Sequence, residues 1–194
     1  MLGEAGPVTP PVLTTPRLVL RAIVADDAAD LFAFRSDPIE QRYNDPPLRT
    51  LDEAHDLIHR LDGERREYGA LHWGVTLAGD DRVVGLLGYN EVVGEHRRAS
   101  LGYDIARGLW GRGLAGEALT AVLDHGFDAL HLNRVEAHTD AANARSIRLL
   151  QRLGFWREGT FHDRFLEEDG YHDIALFVLL RRDRAPAPAP APAP

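Results

Sequence analysis

Gly111, Gly113 and Gly116 lie between a stretch of alternating apolar residues (Leu101, Tyr103, Ile105) and one that repeats them at helical spacing (Ala118, Leu119, Val122, Leu123, Phe127). Strand, glycine-rich loop and helix in that order make a site for phosphate. The first turn of a helix has N–H groups without intrahelical partners, and the helix dipole adds positive partial charge there. Glycines remove the side chains that would hold a phosphate away from those groups. Gly111-Arg112-Gly113-Leu114-Ala115-Gly116 also satisfies the dinucleotide pattern G-x-G-x-x-G, but its context is wrong. Arg107, Gly108, Leu109 and Trp110 separate it from the strand, and the chain ends in a long hairpin rather than in further strand–helix units. A nucleotide-hydrolysing loop needs Gly-Lys-Ser/Thr. The chain has no lysine, and all 22 basic residues are arginine, so that chemistry is excluded.

Trp110-Gly111-Arg112-Gly113-Leu114-Ala115 resembles the Q/R-x-x-G-x-G/A pyrophosphate loop of the GCN5-related N-acetyltransferases (GNAT). The closest resemblance is to the W-G-x-G-x-A form of the RimJ/RimL-like ribosomal-protein N-terminal acetyltransferases. A second segment, Asn143-Ala144-Arg145-Ser146-Ile147-Arg148-Leu149-Leu150-Gln151-Arg152-Leu153-Gly154-Phe155, is similar to the N-x-x-S-x-x-L-x-x-x-G-F segment of the same family. The resemblance covers residues 14–181. It implies an α/β GNAT fold, a mixed and mostly antiparallel central sheet with a splayed strand pair and flanking helices. It also implies acetyl-CoA as cosubstrate, with no metal. Pyrophosphate is expected on Gly111, Arg112, Gly113, Leu114, Ala115 and Gly116, and pantetheine against the main chain near Asp104 and Ile105. Arg112 fits either a phosphate ligand or a solvated surface residue.

Acetyl transfer from a thioester to an amine needs a neutral amine, a polarised carbonyl and a stabilised leaving thiolate. The chain has no cysteine, so an acyl-enzyme through cysteine is impossible, and the simplest path is direct attack in a ternary complex. Many relatives carry a tyrosine acid seven residues after the asparagine, where Leu150 stands here. The RimJ/RimL-like branch has a serine three residues after it, which Ser146 matches, so Ser146 is the candidate donor to sulfur. Asn143 matches the residue that contacts the coenzyme. Both also fit a plain helix-start role. Glu91 is the first candidate for the base, with Asn90 beside it as a substrate or water ligand, and Asp104, His72, His138 and Asp173 are rivals. Glu91 fits a solvated strand carboxylate equally well. A position near residue 165 that is acidic in some relatives is Phe165 here.

Other constellations carry less. His55 and His59 lie one helical turn apart without a third ligand and read as a solvated helix face. Ser146, His138 and Asp140 lack the G-x-S-x-G elbow of a hydrolase. Trp73, Trp110 and Trp156 read as core or loop-packing residues.

The elements that must position these groups follow from periodicity. Arg17–Ile23, His72–Ala78, Val83–Val93, Ala99–Ala106, Arg134–Asp140, Trp156–Leu166 and Tyr171–Leu180 read as strands, the last two around a hairpin turn at Glu167-Glu168-Asp169-Gly170. Helices are expected at Ala25–Arg35, from a Thr50–Glu53 capping box to about Glu67, after the glycine loop, and over Asn143–Leu153. An irregular loop near Asp37–Arg49 holds Tyr43, a candidate substrate-binding residue.

A chain of 194 residues supports one domain at 14–184, with a flexible arm at 1–13 and a disordered Ala-Pro tail at 185–194. No membrane-length apolar run or export signal is present, which implies a cytoplasmic protein. The formal charge of −8 argues against nucleic acid, and it fits either plain solubility or approach of cationic substrates such as amines. The expected acceptor is the N-terminal α-amine of a protein or peptide, the alternative a small-molecule amine. A non-catalytic acyl-CoA-binding sensor is a third reading, and homodimer formation is left open.

Overall fold

The computed structural model describes residues 9–167 and 169–184. The arm's first eight residues, the Ala-Pro tail and Glu168 of the hairpin turn lie outside the described residues. In chain order the strands are β1 (Leu13–Thr14), β2 (Leu18–Ala22), β3 (Leu71–Leu77), β4 (Val83–Val93), β5 (Arg98–Ile105), β6 (Arg134–Asp140), β7 (Trp156–Glu167) and β8 (Gly170–Leu180). The helices are α1 (Ala28–Arg35) and α2 (Leu51–Tyr68) between β2 and β3, α3 (Leu114–Asp128) after β5, and α4 (Ala144–Arg152) after β6. Leu13, expected in the loose arm, is instead paired with Leu20 at the sheet edge.

The strands form one sheet in the order β1-β2-β3-β4-β5-β6-β8-β7. Its two faces bury different sets of residues because strand side chains alternate. Trp73, Val75, Leu87, Tyr89, Leu101 and Ile105 face α3 and α4, whose Leu119, Val122, Phe127 and Leu150 complete the main core. Val83 and Leu86 face the other way, against Leu31 and Phe34 of α1 and Leu57 and Leu61 of α2. Trp73 is fully buried, but Trp156 is 43% exposed at the start of β7, so the expected packing role fails there.

Local caps set the helix boundaries. Thr50 Oγ1 accepts the Glu53 N–H at 3.2 Å, while Glu53 reaches the Arg49 N–H at 2.7 Å. Only half of the expected capping box forms, because that carboxylate bonds one residue further back. Gly154 ends α4 with a φ of +89°, in the left-handed region that favours glycine.

All neighbouring strands are antiparallel except β5 and β6. That parallel pair runs only from Arg98↔Arg134 to Leu101↔Ala137. Beyond it β5 stays on β4 as far as Ile105, and β6 stays on β8 as far as Asp140. The sheet therefore opens into a V between Gly102–Ile105 and His138–Asp140. Next to its apex the β4–β5 register slips between Tyr89 and Glu91, leaving Asn90 as a bulge.

Candidate active site

The glycine loop leaves the open end of the V. Gly111 and Gly113 both have φ of +76°, and Gly113 sits at the N-cap of α3 without a side-chain cap. Gly111 and Arg112 are exposed, Leu114 is buried in the core, and Ala115 and Gly116 are half-buried in the first turn of the helix. A Cβ at Gly111 would meet nothing within 4 Å, and at Gly113 or Gly116 nothing nearer than 3.6 Å. That bare surface over an uncapped helix start fits a pyrophosphate. Arg17 holds the loop from behind: its Nη1 donates to the Arg112 carbonyl at 2.9 Å and its Nε to Glu117 Oε2 at 2.6 Å. Thr15 Oγ1 and the Arg17 N–H meet the other Glu117 oxygen at 2.6 and 3.0 Å.

The V has free main-chain groups along β5. Ala106 N–H donates to the Val84 carbonyl at 2.8 Å, so the two-residue period of the ladder turns Asp104 and Gly102 toward β4. Tyr103 and Ile105 face the opening, and the Ile105 carbonyl accepts the Trp110 indole N–H at 2.6 Å. Asp104, expected beside pantetheine, is turned away. Its buried carboxylate lies on the α1 face, 2.8 Å from Gln41 Nε2 and 3.3 Å from Arg35 Nε. Burial raises its pKa, and Arg35 pulls it back down.

Two contacts cross the V on the α4 side. Ser146 Oγ and Tyr103 Oη are 2.6 Å apart, and both groups are largely buried. Burial pushes the Tyr103 phenol up to about 12, against the hydrogen bond shared with Ser146, which lowers it. Asn143 is the N-cap of α4, its Oδ1 accepting the Ser146 N–H at 3.1 Å. At the mouth the Arg145 guanidinium lies on the Trp110 ring, 3.2 Å from its centroid. It has no ion-pair partner among the described residues, and partial burial lowers its pKa.

The opposite face of the V is polar. Asn90 projects from the bulge over Gly102, where a Cβ would come within 2.8 Å of its amide. His72 Nε2 is 3.2 Å from Asn90 Oδ1. Glu91 lies further from the apex, 44% exposed and 3.4 Å from Arg98, which also reaches Glu136. Tyr43, half-buried in the loop between α1 and α2, packs under the Arg42 guanidinium at 5.2 Å. In the same loop Glu40 is buried, one oxygen accepting the Arg107 N–H at 2.8 Å and the other without a partner among the described residues. Burial raises its pKa to about 7.

Sequence reasoning missed Tyr103 as a functional group, along with the Arg17–Glu117 clamp, the Arg145–Trp110 stack and Glu40. Tyr103 carried a usable signal, since alternation put it on the α4 face with Leu101 and Ile105. The other three are long-range pairings or burial, which no local pattern encodes. Asp173, a rival base, is held on β8 by His162 at 2.8 Å and the Asp163 N–H at 2.9 Å.

A glycine loop on a bare helix start, beside a V-shaped opening in a mixed sheet, defines an acyl-CoA-dependent acetyltransferase. Residues 17–156 match the acetyltransferase (GNAT) domain family, and the chain belongs to it. Within the family it is RimJ/RimL-like. The chain is 36% identical over 174 residues to the uncharacterized N-acetyltransferase p20 of Bacillus licheniformis, covering 89% of this chain and 98% of that one. To the [ribosomal protein uS5]-alanine N-acetyltransferase of Escherichia coli it is 30% identical, covering 96% of this chain and 99% of the other. The RimL ribosomal L7/L12 α-N-protein acetyltransferase, solved with coenzyme A, shares the fold with a TM-score of 0.80 at 19% identity, over 88% of this chain and 98% of that one. The protein is an N-acetyltransferase with acetyl-CoA as its acyl donor. Among the described residues no helix is long and apolar enough to cross a membrane.

Proposed function

We propose that the protein acetylates the N-terminal α-amine of a protein or peptide by direct attack in a ternary complex. The observation that carries this reading is the end-to-end match to the uS5-alanine N-acetyltransferase, which leaves no large segment of either chain unaccounted for. The donor supplies a thioester acetyl group. Gly111, Gly113, Leu114, Ala115 and Gly116 present main-chain N–H groups to its phosphates, with Arg112 at the rim, and Ile105 and Tyr103 present theirs along the V. Asn143 shapes the start of α4 and so fixes Ser146. Ser146 donates to sulfur as negative charge builds, and its tie to Tyr103 orients the hydroxyl. On the other face, Asn90 and Tyr43 contact the acceptor, and Glu91 favours approach of a cationic amine.

A panel of octapeptides with free N-terminal alanine or serine, their N-blocked counterparts, and spermine tests the assignment by release of free thiol from acetyl-CoA. Turnover with a free α-amine and none with its blocked form supports it. Turnover with spermine alone would make the protein a small-amine acetyltransferase.

A further inference from the structure

The polar face of the V contains an imidazole that the functions above leave unused. His72 is on β3, opposite Gly88 of β4, with its side chain on the α2 side. Its Nε2 meets Asn90 Oδ1 at 3.2 Å. Asn90 is the bulged residue of β4, and it leans over Gly102, the first residue of β5 beyond the last β5–β6 pair. The bulge and the missing Cβ together bring the His72–Asn90 pair to the apex of the V, on the face opposite Ser146.

We propose that His72 is the general base that takes the proton from the attacking amine, with Asn90 as the residue that orients its ring. The inference rests on the acetyl-transfer reading above. In the step, the amine nitrogen bonds to the acetyl carbon, the carbon–sulfur bond breaks, the nitrogen's proton passes to His72, and the sulfur leaves as thiolate beside Ser146. His72 then returns its proton to solvent.

The surroundings suit the role. Burial lowers the pKa of His72, offset by the Asn90 hydrogen bond and by Glu64 of α2, while Arg60 of α2 and Arg35 of α1 add to the lowering. The ring is therefore neutral near pH 7, as a base must be. A neutral imidazole has one N–H and one lone pair. With Asn90 Oδ1 accepting from Nε2, the lone pair is on Nδ1. The rival groups are committed elsewhere: Glu91 to Arg98, Asp104 to Arg35 and Gln41, and Asp173 to His162. His172 is held at about 9 by Asp140 and Asp169, so it is already protonated at neutral pH. His138 borders the V from β6 but has no side-chain hydrogen bond among the described residues to fix its ring, only Phe161 at 6.0 Å.

The test is the pH profile of kcat/KM, with acetyl-CoA and an alanine-terminated octapeptide or, should that peptide fail, spermine. His72→Gln is expected to lower kcat/KM about 100-fold at pH 7, at the lower end of general-base contributions. The wild type is expected to show an acidic limb from His72, and the variant to lose it, leaving only the titration of the acceptor amine. The dissociation constant for coenzyme A should not change. Asn90→Asp puts a carboxylate beside the ring and is expected to move the limb to higher pH, a shift that a purely structural histidine would not produce. An intact limb in folded His72→Gln, or a limb lost instead in Glu91→Gln or His138→Gln, overturns the assignment of the base. Absence of thiol release with every acceptor overturns the acetyl-transfer reading itself.

Discussion

Tyr103 and Ser146 join β5 to α4 through hydroxyls 2.6 Å apart, across the seam where β5 and β6 have parted. The Tyr103 phenol, pushed up to about 12 by burial, keeps its proton at neutral pH. If it donates to Ser146 Oγ, the serine O–H is left for a third atom. In the proposed mechanism that third atom is the sulfur, as charge develops on it.

Ser146→Ala is therefore expected to lower kcat by 10- to 100-fold, about 1.4–2.7 kcal/mol. Tyr103→Phe should cost less, because Ser146 still has its own O–H. Neither change should move the acetyl-CoA dissociation constant appreciably. Pre-steady-state turnover and calorimetry measure the two effects separately.

Gly116→Ala is expected to raise stability and weaken coenzyme A binding together. Gly116 is in the first turn of α3, where a Cβ would make an ordinary contact with Leu149 Cδ1 at 3.6 Å. Replacing glycine by alanine inside a helix is worth roughly 0.5–1 kcal/mol. On the proposed seating of the pyrophosphate the same methyl group narrows its approach to the first turn, so affinity should fall about tenfold or more, roughly 1.4 kcal/mol. Gly113→Val is a poorer probe, because φ of +76° strains any β-branched residue and the fold suffers with the binding. Thermal melts and titration calorimetry on both variants separate these outcomes.

Much of this architecture was legible in the sequence. The strands β3 to β6 and the helices α3 and α4 show their periods plainly, and the glycine loop is a run of consecutive residues. Asp104 was misplaced for a different reason. Which strand residues face the V depends on the phase of the β4–β5 ladder, set here by the Ala106–Val84 hydrogen bond and the slip at Asn90. A one-residue error in that phase exchanges Asp104 for Tyr103. The Tyr103–Ser146 pair spans 43 positions, and alternation gives Tyr103 a face but not a partner.

Arg145→Ala is expected to weaken coenzyme A binding about tenfold at low salt and less at high salt, with little change for pantetheine, which lacks the charged phosphates. The guanidinium rests on Trp110 without an ion-pair partner among the described residues, next to the phosphate loop. Calorimetry with both ligands at two ionic strengths checks this. Equal losses for both ligands would make the stack a structural brace.

Melting temperature should fall as pH rises from 6.5 to 9.5, in part through His172. Hydrogen bonds to Asp140 and Asp169 raise its pKa to about 9 in the folded protein. A raised folded pKa gives stability that is complete below the unfolded value near 6.5 and is lost as pH passes the folded one. His172→Asn should flatten this part of the profile. Glu40, raised to about 7 mainly by burial, works in the same direction between about 4.5 and 7, so Glu40→Gln should help most at neutral pH and above. Melts over a pH series test both.

Arg17 and Glu117 grip the glycine loop from sequence positions 100 residues apart. The loop's shape is thus a late product of assembly. Arg17 emerges first during synthesis and has to wait for α3 before it can close on Glu117 and the Arg112 carbonyl. Contacts of such long range require chain closure before they return any stabilisation. A nascent chain would form the β3–β4–β5 meander well before its glycine loop is shaped, and a protein shortened past Arg17 would keep much of its core while losing the clamp on that loop. The shape of the loop at the chain's middle is in this way coupled to the segment that carries Arg17.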